Sequence, residues 1–416
     1  MGTLHVIGAG LAGLACAVDR AAAGDAVAVY EAGVRAGGRC RSFHDPRLDR
    51  RIDNGNHLIL AGNRATMRYL DRVGARGRLA PAPAIAFPFV DLRDGARWLL
   101  RPNRGPLPWW LLAPGRRVPG SRAGDYLAAL KLARAAPEAN VAQVLRPGGA
   151  LYERLWEPLA VAALNTAAEE GAARLLWPVI VQTFGRGGAA CRPFVARDGL
   201  SEALVDPAVA WLARRGAAVA LGRRLRRIEI EGDRVAGLDF GDRTLTLDAD
   251  DRVVLALPPA RAAALVPGLV APRASRAIVN AHFRLDAAPE MPAGSPFVGV
   301  IGGLAQWVFR RGDVVSVTVS AADALLDTPA EDLAARLWAD VARALDLAPG
   351  PIPPSRIVKE RRATFAQTPA EVARRPPTRT AFANLLLAGD WTDTGLPATI
   401  EGAIASGQAA AALAQP

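Results

Sequence analysis

The sequence of 416 residues predicts an α/β fold in two lobes, one of them built on a parallel sheet. A short apolar strand, a glycine-rich turn, an Ala/Leu-rich helix and a second apolar strand follow one another over residues 4–30, the order of a βαβ unit. Apolar runs at 253–257 and 385–388 stop at turn residues, as strands buried on both faces do. At roughly 150 residues per domain, the length allows two or three lobes.

The composition fits a folded chain in a reducing compartment. Hydrophobic residues make up 51% and charged residues 22%, enough for a large core. Cys16, Cys40 and Cys191 are odd in number and widely spaced, so we expect neither a disulfide framework nor a metal site. The N-terminus has no basic region before its apolar run, and no apolar stretch reaches about 18 residues. We therefore expect a cytoplasmic protein, soluble or peripheral.

The glycine-rich turn reads Gly8-Ala9-Gly10-Leu11-Ala12-Gly13, the G-x-G-x-x-G pattern of a Rossmann-like dinucleotide site. Gly8 permits the tight turn, Gly10 lets the backbone approach a pyrophosphate, and Gly13 allows helix and strand to pack closely. Free N–H groups at the helix N-terminus favour the phosphates. Glu31 follows the second strand and can accept from ribose hydroxyls.

Several further motifs resemble those of the flavin-containing amine oxidase and carotenoid desaturase superfamily. They are the E-x5-G-G-R run from Glu31 to Arg39, the turn Asp53-Asn54-Gly55-Asn56-His57, and the C-terminal Ala388-Gly389-Asp390-Trp391 followed by residues 395–403. The resemblance implies an FAD cofactor, with Arg39 on the diphosphate, Asp390 on the ribityl chain and the last helix aimed at the flavin ring. No cysteine follows Cys191, so we expect FAD to be bound non-covalently. The candidate FAD contacts are Gly8, Ala9, Gly10, Leu11, Ala12, Gly13, Glu31, Ala32, Gly38, Arg39, Gly55, Asn56, His57, Leu225, Gly389, Asp390, Ala398, Thr399 and Ile400.

The lobes are predicted to be discontinuous in the chain. We assign residues 1–80, 196–262 and 356–416 to the FAD-binding lobe. Residues 81–195 and 263–355 are assigned to an α+β substrate lobe that faces the membrane.

The sequence contains two lysines, and their positions argue against one class of flavoenzyme. Amine oxidases of the superfamily usually carry a lysine near flavin N5, but the corresponding stretch 276–283 has none, and Lys131 and Lys359 lie elsewhere. We therefore expect a chemistry other than oxygen-driven amine oxidation.

The remaining motifs, at 53–60, 306–309, 361–365 and 389–403, together resemble the squalene-associated FAD-dependent desaturases of bacterial hopanoid clusters. This resemblance covers essentially the whole chain. It implies reductive removal of the hydroxyl of hydroxysqualene, giving squalene, and contact with synthases of the squalene pathway. A carotenoid-type desaturase, with hydride moving the opposite way, and a flavoprotein without turnover that assists assembly of the pathway are the alternatives.

Loss of an allylic hydroxyl requires a proton donor in an otherwise apolar tunnel. His57 is the first catalytic candidate, as the donor or as the group that orients the hydroxyl; the alternative is that it only packs against the flavin. Asn56 and Glu401 are further candidates, although Glu401 is equally suited to capping its helix. We interpret Asp53 as a structural turn carboxylate. Trp307 and Phe309 alternate on a predicted strand and could line the tunnel or pack in the core.

The net charge of +11 is concentrated in one region. Residues 91–134 hold nine basic and three acidic residues around the apolar run Leu107-Pro108-Trp109-Trp110-Leu111-Leu112. Tryptophan flanked by cations suits an anionic membrane surface, and the alternative is a solvated loop with a buried tryptophan pair. No recognition motif accompanies the charge, so we expect no nucleic-acid partner. We place the protein on the inner face of the cytoplasmic membrane.

Overall fold

The computed structural model describes residues 2–105 and 107–415 and has the predicted α/β architecture. The strands are β1 (Thr3–Ile7), β2 (Ala26–Tyr30), β3 (Ser42–Asp45), β4 (Arg50–Asp53), β5 (Ile59–Leu60), β6 (Leu79–Pro81), β7 (Phe87–Asp91), β8 (Arg97–Leu100), β9 (Pro193–Ala196), β10 (Val219–Ala220), β11 (Arg227–Glu231), β12 (Arg234–Asp239), β13 (Thr244–Thr246), β14 (Arg252–Leu255), β15 (Ser275–Arg284), β16 (Phe297–Ile301), β17 (Trp307–Arg311), β18 (Val314–Val319), β19 (Ser355–Phe365) and β20 (Leu385–Leu387).

The α-helices are α1 (Leu11–Ala22), α2 (Arg64–Arg72), α3 (Val141–Leu145), α4 (Glu157–Leu164), α5 (Ala173–Gln182), α6 (Asp206–Ala213), α7 (Pro259–Leu265), α8 (Ala330–Ala344), α9 (Pro369–Val372) and α10 (Ile400–Leu413). Turns of 3₁₀ helix lie at Arg76–Arg78, Trp109–Leu112, Pro114–Arg116, Ala123–Arg134, Phe184–Arg186, Pro292–Gly294 and Asp323–Leu325. Turns of π-helix lie at Tyr152–Trp156 and Ser201–Val205.

The first sheet is parallel throughout, with the strand order β10-β2-β1-β14-β20. Its strands come from the N-terminal part, the middle and the C-terminal part of the chain. The central strands β1 and β14 and the edge strand β20 are almost completely buried, which explains their unbroken apolar runs. Helix α1 connects β1 to β2 and packs against α10.

The second sheet has the order β19-β15-β18-β17-β16-β7-β8 and two unlike faces. One face is aliphatic and packs against α8, with Val279, Val298, Val308 and Val317 in its core. The opposite face carries aromatic side chains on β7, β8, β16 and β17 and polar side chains on β15 and β18. The period of two along each strand produces this separation.

Strand β19 differs from the predicted division of the chain. The prediction assigns 356–416 to the FAD-binding lobe, yet β19 pairs with β15 at the edge of the second sheet. Its residues are mostly half-buried or exposed, so no apolar run marks the strand in the sequence. The other lobe boundaries remain predictions.

The helical region from residue 109 to 186 packs on the aromatic face of the second sheet. Here Trp109 and Trp110, expected either to face a membrane surface or to form a buried pair, have different environments. Trp109 is exposed, and the Arg116 guanidinium lies 4.9 Å from its ring centre. Trp110 is buried and makes an edge contact with Tyr126 at 5.6 Å. Neither alternative therefore holds for both rings, because Trp110 belongs to the core and Trp109 does not.

Within the described residues, no helix has both the length and the apolar character needed to cross a bilayer.

The contact between α1 and α10 yields a test of the fold. A Cβ atom at Gly407 would overlap the carbonyl oxygen of Ala12, so Gly407→Ala should push the two helices apart. We expect a loss of about 1–3 kcal/mol in the free energy of unfolding, the usual cost of overpacking. Denaturant unfolding measures the change. Gly77→Ala is the control, because a Cβ there meets no atom within 4 Å. Equal unfolding midpoints for the two variants would contradict this packing.

Candidate active site

The G-x-G-x-x-G turn leads from β1 into α1 as the motif requires. Gly8 has a φ of 106°, a conformation that favours glycine. A Cβ at Gly13 would overlap the carbonyl oxygen of Gly8, so helix and strand meet only because this residue has no side chain. No side chain caps the N-terminus of α1, and a Cβ at Gly10 would meet no atom within 4 Å. The turn therefore presents open space and free amides to an anion.

The G-G-R segment runs beside this turn. The Gly37 amide donates to the Ala9 carbonyl at 2.8 Å, and Gly10 and Gly37 form an isolated parallel bridge. Gly37 and Gly38 have φ values of 107° and 59°, so both occupy the left-handed region. Two glycine-rich backbones are thus brought together at the end of β1.

Glu31, the predicted ribose contact, directly follows β2. Each of its two carboxylate oxygens already accepts one hydrogen bond from the protein. Oε2 accepts from the Ala9 amide at 2.9 Å and Oε1 from the Gly33 amide at 2.7 Å. A carboxylate has about four acceptor positions, so ribose hydroxyls can still bind. Ala32 follows in the same loop. Leu225 is buried near the end of β2, where the Arg223 amide donates to the Glu31 carbonyl.

Arg39 and Asp390 pair with each other. Arg39 Nη2 donates to Asp390 Oδ1 at 2.8 Å, and Arg39 Nη1 donates to the Ala363 carbonyl at 2.6 Å. The resemblance implied separate contacts, Arg39 to the diphosphate and Asp390 to the ribityl chain. In the structure this ion pair holds the G-G-R segment against the loop after β20, and the two cofactor contacts remain predictions. Gly389, with a φ of 153°, lets that loop pass close to the Trp391 indole.

The start of α10 is ordered by two side chains. Thr399 caps the helix through the hydrogen bond from the Gly402 amide at 3.1 Å. The Ala398 amide donates to Oε1 of the buried Gln367 at 2.8 Å, and the flavin contact of Ala398 remains a prediction. Ile400 is the first residue of α10, at the positive end of its dipole.

The turn at 54–57 is bonded to the second sheet. The Asn54 carbonyl accepts from Asn280 Nδ2 on β15 at 3.1 Å. Asn56 Nδ2 donates to Thr318 Oγ1 on β18 at 3.1 Å, and Thr318 in turn donates to Asn280 Oδ1 at 2.8 Å. Asn56 therefore anchors the turn to the polar face of the second sheet, a role that its local sequence does not reveal.

His57 is a titratable catalytic candidate whose side chain, unlike that of Glu401, retains an available polar atom. Its Nδ1 lies 3.2 Å from the Gly55 carbonyl oxygen, which can only accept, so Nδ1 carries the hydrogen and neutral Nε2 is an acceptor. The side chain is exposed to solvent. The surrounding protein lowers the pKa of His57 below 6.5, and the Gly55 hydrogen bond only partly opposes this shift.

Asp53 has a structural role, as we expected, but its side chain bonds to residues outside its own turn. Its Oδ1 accepts from the Ser42 hydroxyl at 2.5 Å and the Leu200 amide at 2.9 Å, and its Oδ2 pairs with Arg311 Nη1 at 2.6 Å. This buried carboxylate joins β4 to β17 and to the turn of π-helix at 201–205.

Glu401 caps a helix other than its own. Its Oε1 accepts from the Ala65 amide at 2.9 Å, and its Oε2 accepts from the Thr66 amide at 2.9 Å and the Thr66 hydroxyl at 2.7 Å. The carboxylate is buried and satisfies the first turn of α2, so the geometry does not support a catalytic role. Capping was foreseen, but for α10 rather than α2.

Lysine is absent from the polar face of β15, as the sequence indicated. Lys359 lies opposite Val279 on β19, and its ammonium donates to the carbonyls of Leu326 and Thr328 at 2.8 and 2.5 Å. Sequence reasoning missed Asn280, Thr318 and Gln367. The alternation of Asn280 and His282 with apolar neighbours in β15 was a readable signal of a polar face, whereas the role of Gln367 had none.

Trp307 and Phe309 lie on the aromatic face of β17, and both are half-buried. Trp307 is the cross-strand partner of Thr318, the residue that binds Asn56. The aromatic face therefore adjoins the turn that carries His57.

The residues present fit a dinucleotide that carries a flavin. The open space at Gly10, the uncapped N-terminus of α1 and the remaining acceptor positions of Glu31 suit a pyrophosphate and a ribose. The 54–57 turn and the start of α10 would border the ring system, as the resemblance implies.

The comparisons with known proteins agree with this site. Residues 11–414 match the family model of flavin containing amine oxidoreductases. Hydroxysqualene dehydroxylases from Rhodopseudomonas palustris and Sinorhizobium fredii are 49% and 47% identical over 412 residues, covering 99% of this chain and 98% of each relative. The crystal structure of an oxidoreductase from Methanosarcina mazei has the same fold, with a TM-score of 0.72 at 16% identity over 98% of this chain and 99% of that chain.

These matches confirm the resemblance inferred from the motifs and the prediction of FAD. The chain belongs to the flavin-containing amine oxidoreductase family and is an FAD-dependent oxidoreductase.

Proposed function

We propose that the chain reduces hydroxysqualene to squalene, with loss of the hydroxyl as water and at the expense of reduced FAD. The observation that carries the proposal is the identity of 47–49% to two hydroxysqualene dehydroxylases over 98% of their length. Reduced flavin supplies a hydride when it is bound. The residues of the chain must then hold the substrate, deliver a proton to the leaving hydroxyl and exclude bases from the reacting carbon.

His57 suits the first two tasks. Neutral Nε2 accepts a hydrogen bond, so it can orient the substrate hydroxyl, and the imidazolium form can donate a proton to the same oxygen. The lowered pKa makes the imidazolium a stronger acid than an ordinary histidine. Asp53 and Glu401 do not compete for this role, because every oxygen of both carboxylates is engaged in structure.

The direct test is anaerobic incubation of the reduced enzyme with hydroxysqualene. We expect one squalene for each flavin reoxidised, measured by mass spectrometry and by flavin absorbance. A carotenoid-type desaturase would instead reduce its oxidised flavin when given a polyisoprenoid. A flavoprotein that only assists assembly would bind FAD and turn over neither substrate; either result would overturn the proposal.

The lowered pKa of His57 predicts how the rate depends on pH. Because the pKa in the folded enzyme lies below 6.5, the imidazolium is populated only as pH falls toward that lowered value. We expect flavin reoxidation by hydroxysqualene to accelerate as pH falls from 8 and to level off below the pKa of His57. In His57→Gln the rate should drop about 100-fold or more, the usual contribution of a general acid, and lose this pH dependence.

His44→Gln is the matched control, because His44 is exposed and lies beside Asp49, at 3.6 Å. It should keep the rate and pH profile of the wild type. A His57→Gln enzyme with an unchanged pH profile would show that His57 only packs against the cofactor.

We also propose that the protein binds the anionic inner face of the cytoplasmic membrane, where its insoluble substrate resides and where synthases of the squalene pathway would deliver it. Exposed apolar side chains on two neighbouring 3₁₀ helices and the preceding loop support this, together with exposed cations around them. The apolar residues are Leu107, Trp109, Leu112, Leu127 and Leu130, and the cations are Arg101, Arg104, Arg122, Lys131 and Arg134. Apolar groups within a basic rim are typical of interfacial binding.

Replacing two of the apolar residues tests this surface. Trp109→Ser with Leu112→Ser should weaken binding to phosphatidylglycerol vesicles about tenfold or more, since each buried side chain contributes about 1.5–3 kcal/mol. Sedimentation with vesicles measures binding, and added salt should weaken it further. Val270→Ser, at another exposed apolar residue, is the control. Equal sedimentation of the double variant and the wild type would contradict the membrane surface.

A further inference from the structure

We propose that Trp307, supported by Phe309, stabilises the positive charge that forms on the substrate when its hydroxyl leaves. The inference rests on the proposed function and names a residue with no assigned role. The indole face would act on the reacting carbon through cation–π attraction, and it would do so without offering a base.

The position of Trp307 is set by the second sheet. It pairs with Thr318 in the antiparallel register of β17 and β18, so the two side chains are neighbours on one face. Thr318 accepts the hydrogen bond from Asn56, which precedes His57 in the turn. Trp307 therefore lies beside the strand residue that anchors the turn carrying His57, the residue that we propose as the proton donor, and its ring is half-buried.

Neighbouring rings hold the indole in place. Phe89 contacts Trp307 edge to face at 5.7 Å, and Phe297 lies 6.2 Å away. Gly299 is the cross-strand partner of Trp307, and a side chain there would collide with the Phe89 ring. The ring centres of Phe309 and Phe297 lie 6.3 Å apart, so Phe309 extends the aromatic surface beside Trp307. A ring fixed in this way needs no reorganisation when charge develops.

The carboxylates near the turn are already committed to other partners. Asp53 pairs with Arg311, Asp390 with Arg39, and Glu401 with the first turn of α2. Glu360, the carboxylate nearest Asn54, accepts from Asn54 Nδ2 at 2.9 Å. A free carboxylate would stabilise a carbocation but would also remove a proton from the adjacent carbon. An aromatic face attracts the charge through its quadrupole and has no such basicity.

Loss of the hydroxyl and transfer of the hydride together conserve atoms and electrons. The C–O bond breaks with its electron pair on oxygen, which takes up one proton and leaves as water. The allylic cation then receives a hydride, two electrons with one proton, from reduced flavin, which is oxidised. If a proton leaves the neighbouring carbon first, the product is a dehydrated polyene with no net reduction.

Binding of a cationic analogue tests the inference without turnover. The probe is the amine in which a protonated nitrogen replaces the carbon that bears the hydroxyl, and squalene itself is the neutral comparison. For the oxidised FAD-loaded enzyme we expect Trp307→Leu to bind the amine about 30-fold more weakly, which corresponds to a desolvated cation–π contact of about 2 kcal/mol. Squalene affinity should change less than about threefold, and Trp307→Phe should be intermediate.

Trp338→Leu is the matched control, because Trp338 lies on α8 against Phe283, on the opposite face of the same sheet. It should bind both ligands as the wild type does. Equal amine affinity in wild type and Trp307→Leu, with FAD content unchanged, would overturn the inference.

The product ratio gives a second readout. Reduced Trp307→Leu should release a larger share of dehydrated polyene relative to squalene than the wild type, because a less stabilised cation is lost to deprotonation. An unchanged ratio counts against the inference. Failure of the wild type to form squalene would instead overturn the proposed function, and the amine comparison would still decide the role of Trp307.

Discussion

Helix α1 lies so close to β1 and to α10 that only glycine is tolerated at the two points of contact. Gly13 leaves room for the carbonyl oxygen of Gly8, and Gly407 leaves room for that of Ala12. Because of these contacts, the uncapped N-terminus of α1, the Gly37 bridge and the start of α10 converge at one end of the parallel sheet. A cofactor that extends from a phosphate site to the last helix depends on this close approach.

The second sheet supplies the other half of the site through the separation of its faces. The aliphatic face of the second sheet packs against α8. The aromatic and polar face therefore contacts the turn that carries His57. The acidic side chains nearest this junction serve as caps or ion-pair partners. What remains accessible is an imidazole and aromatic rings, a set that suits proton delivery to a leaving hydroxyl and protection of the resulting cation.

The sequence predicted those parts of the site that depend on interactions between residues close together in the chain. Residues within a few positions of Gly8 determine the tight turn, the close backbone approach and the helix N-terminus. The fold class follows from these features. The partners of the charged groups were not predictable, because tertiary packing sets them: Arg39 reaches Asp390 across 351 positions, and Glu401 reaches Thr66 across 335. For the same reason Trp109 and Trp110, identical in sequence character, lie outside and inside the core.

The central claim is that this chain directs a hydride onto the carbon that loses the hydroxyl. The most direct measurement reconstitutes the enzyme with reduced 5-deaza-FAD carrying deuterium at C5, a position that does not exchange with water, and determines the mass of the squalene formed from hydroxysqualene. Hydride transfer from the cofactor predicts squalene heavier by one deuterium at the former carbinol carbon. Squalene without the label, or no squalene while the label remains on the cofactor, would contradict it.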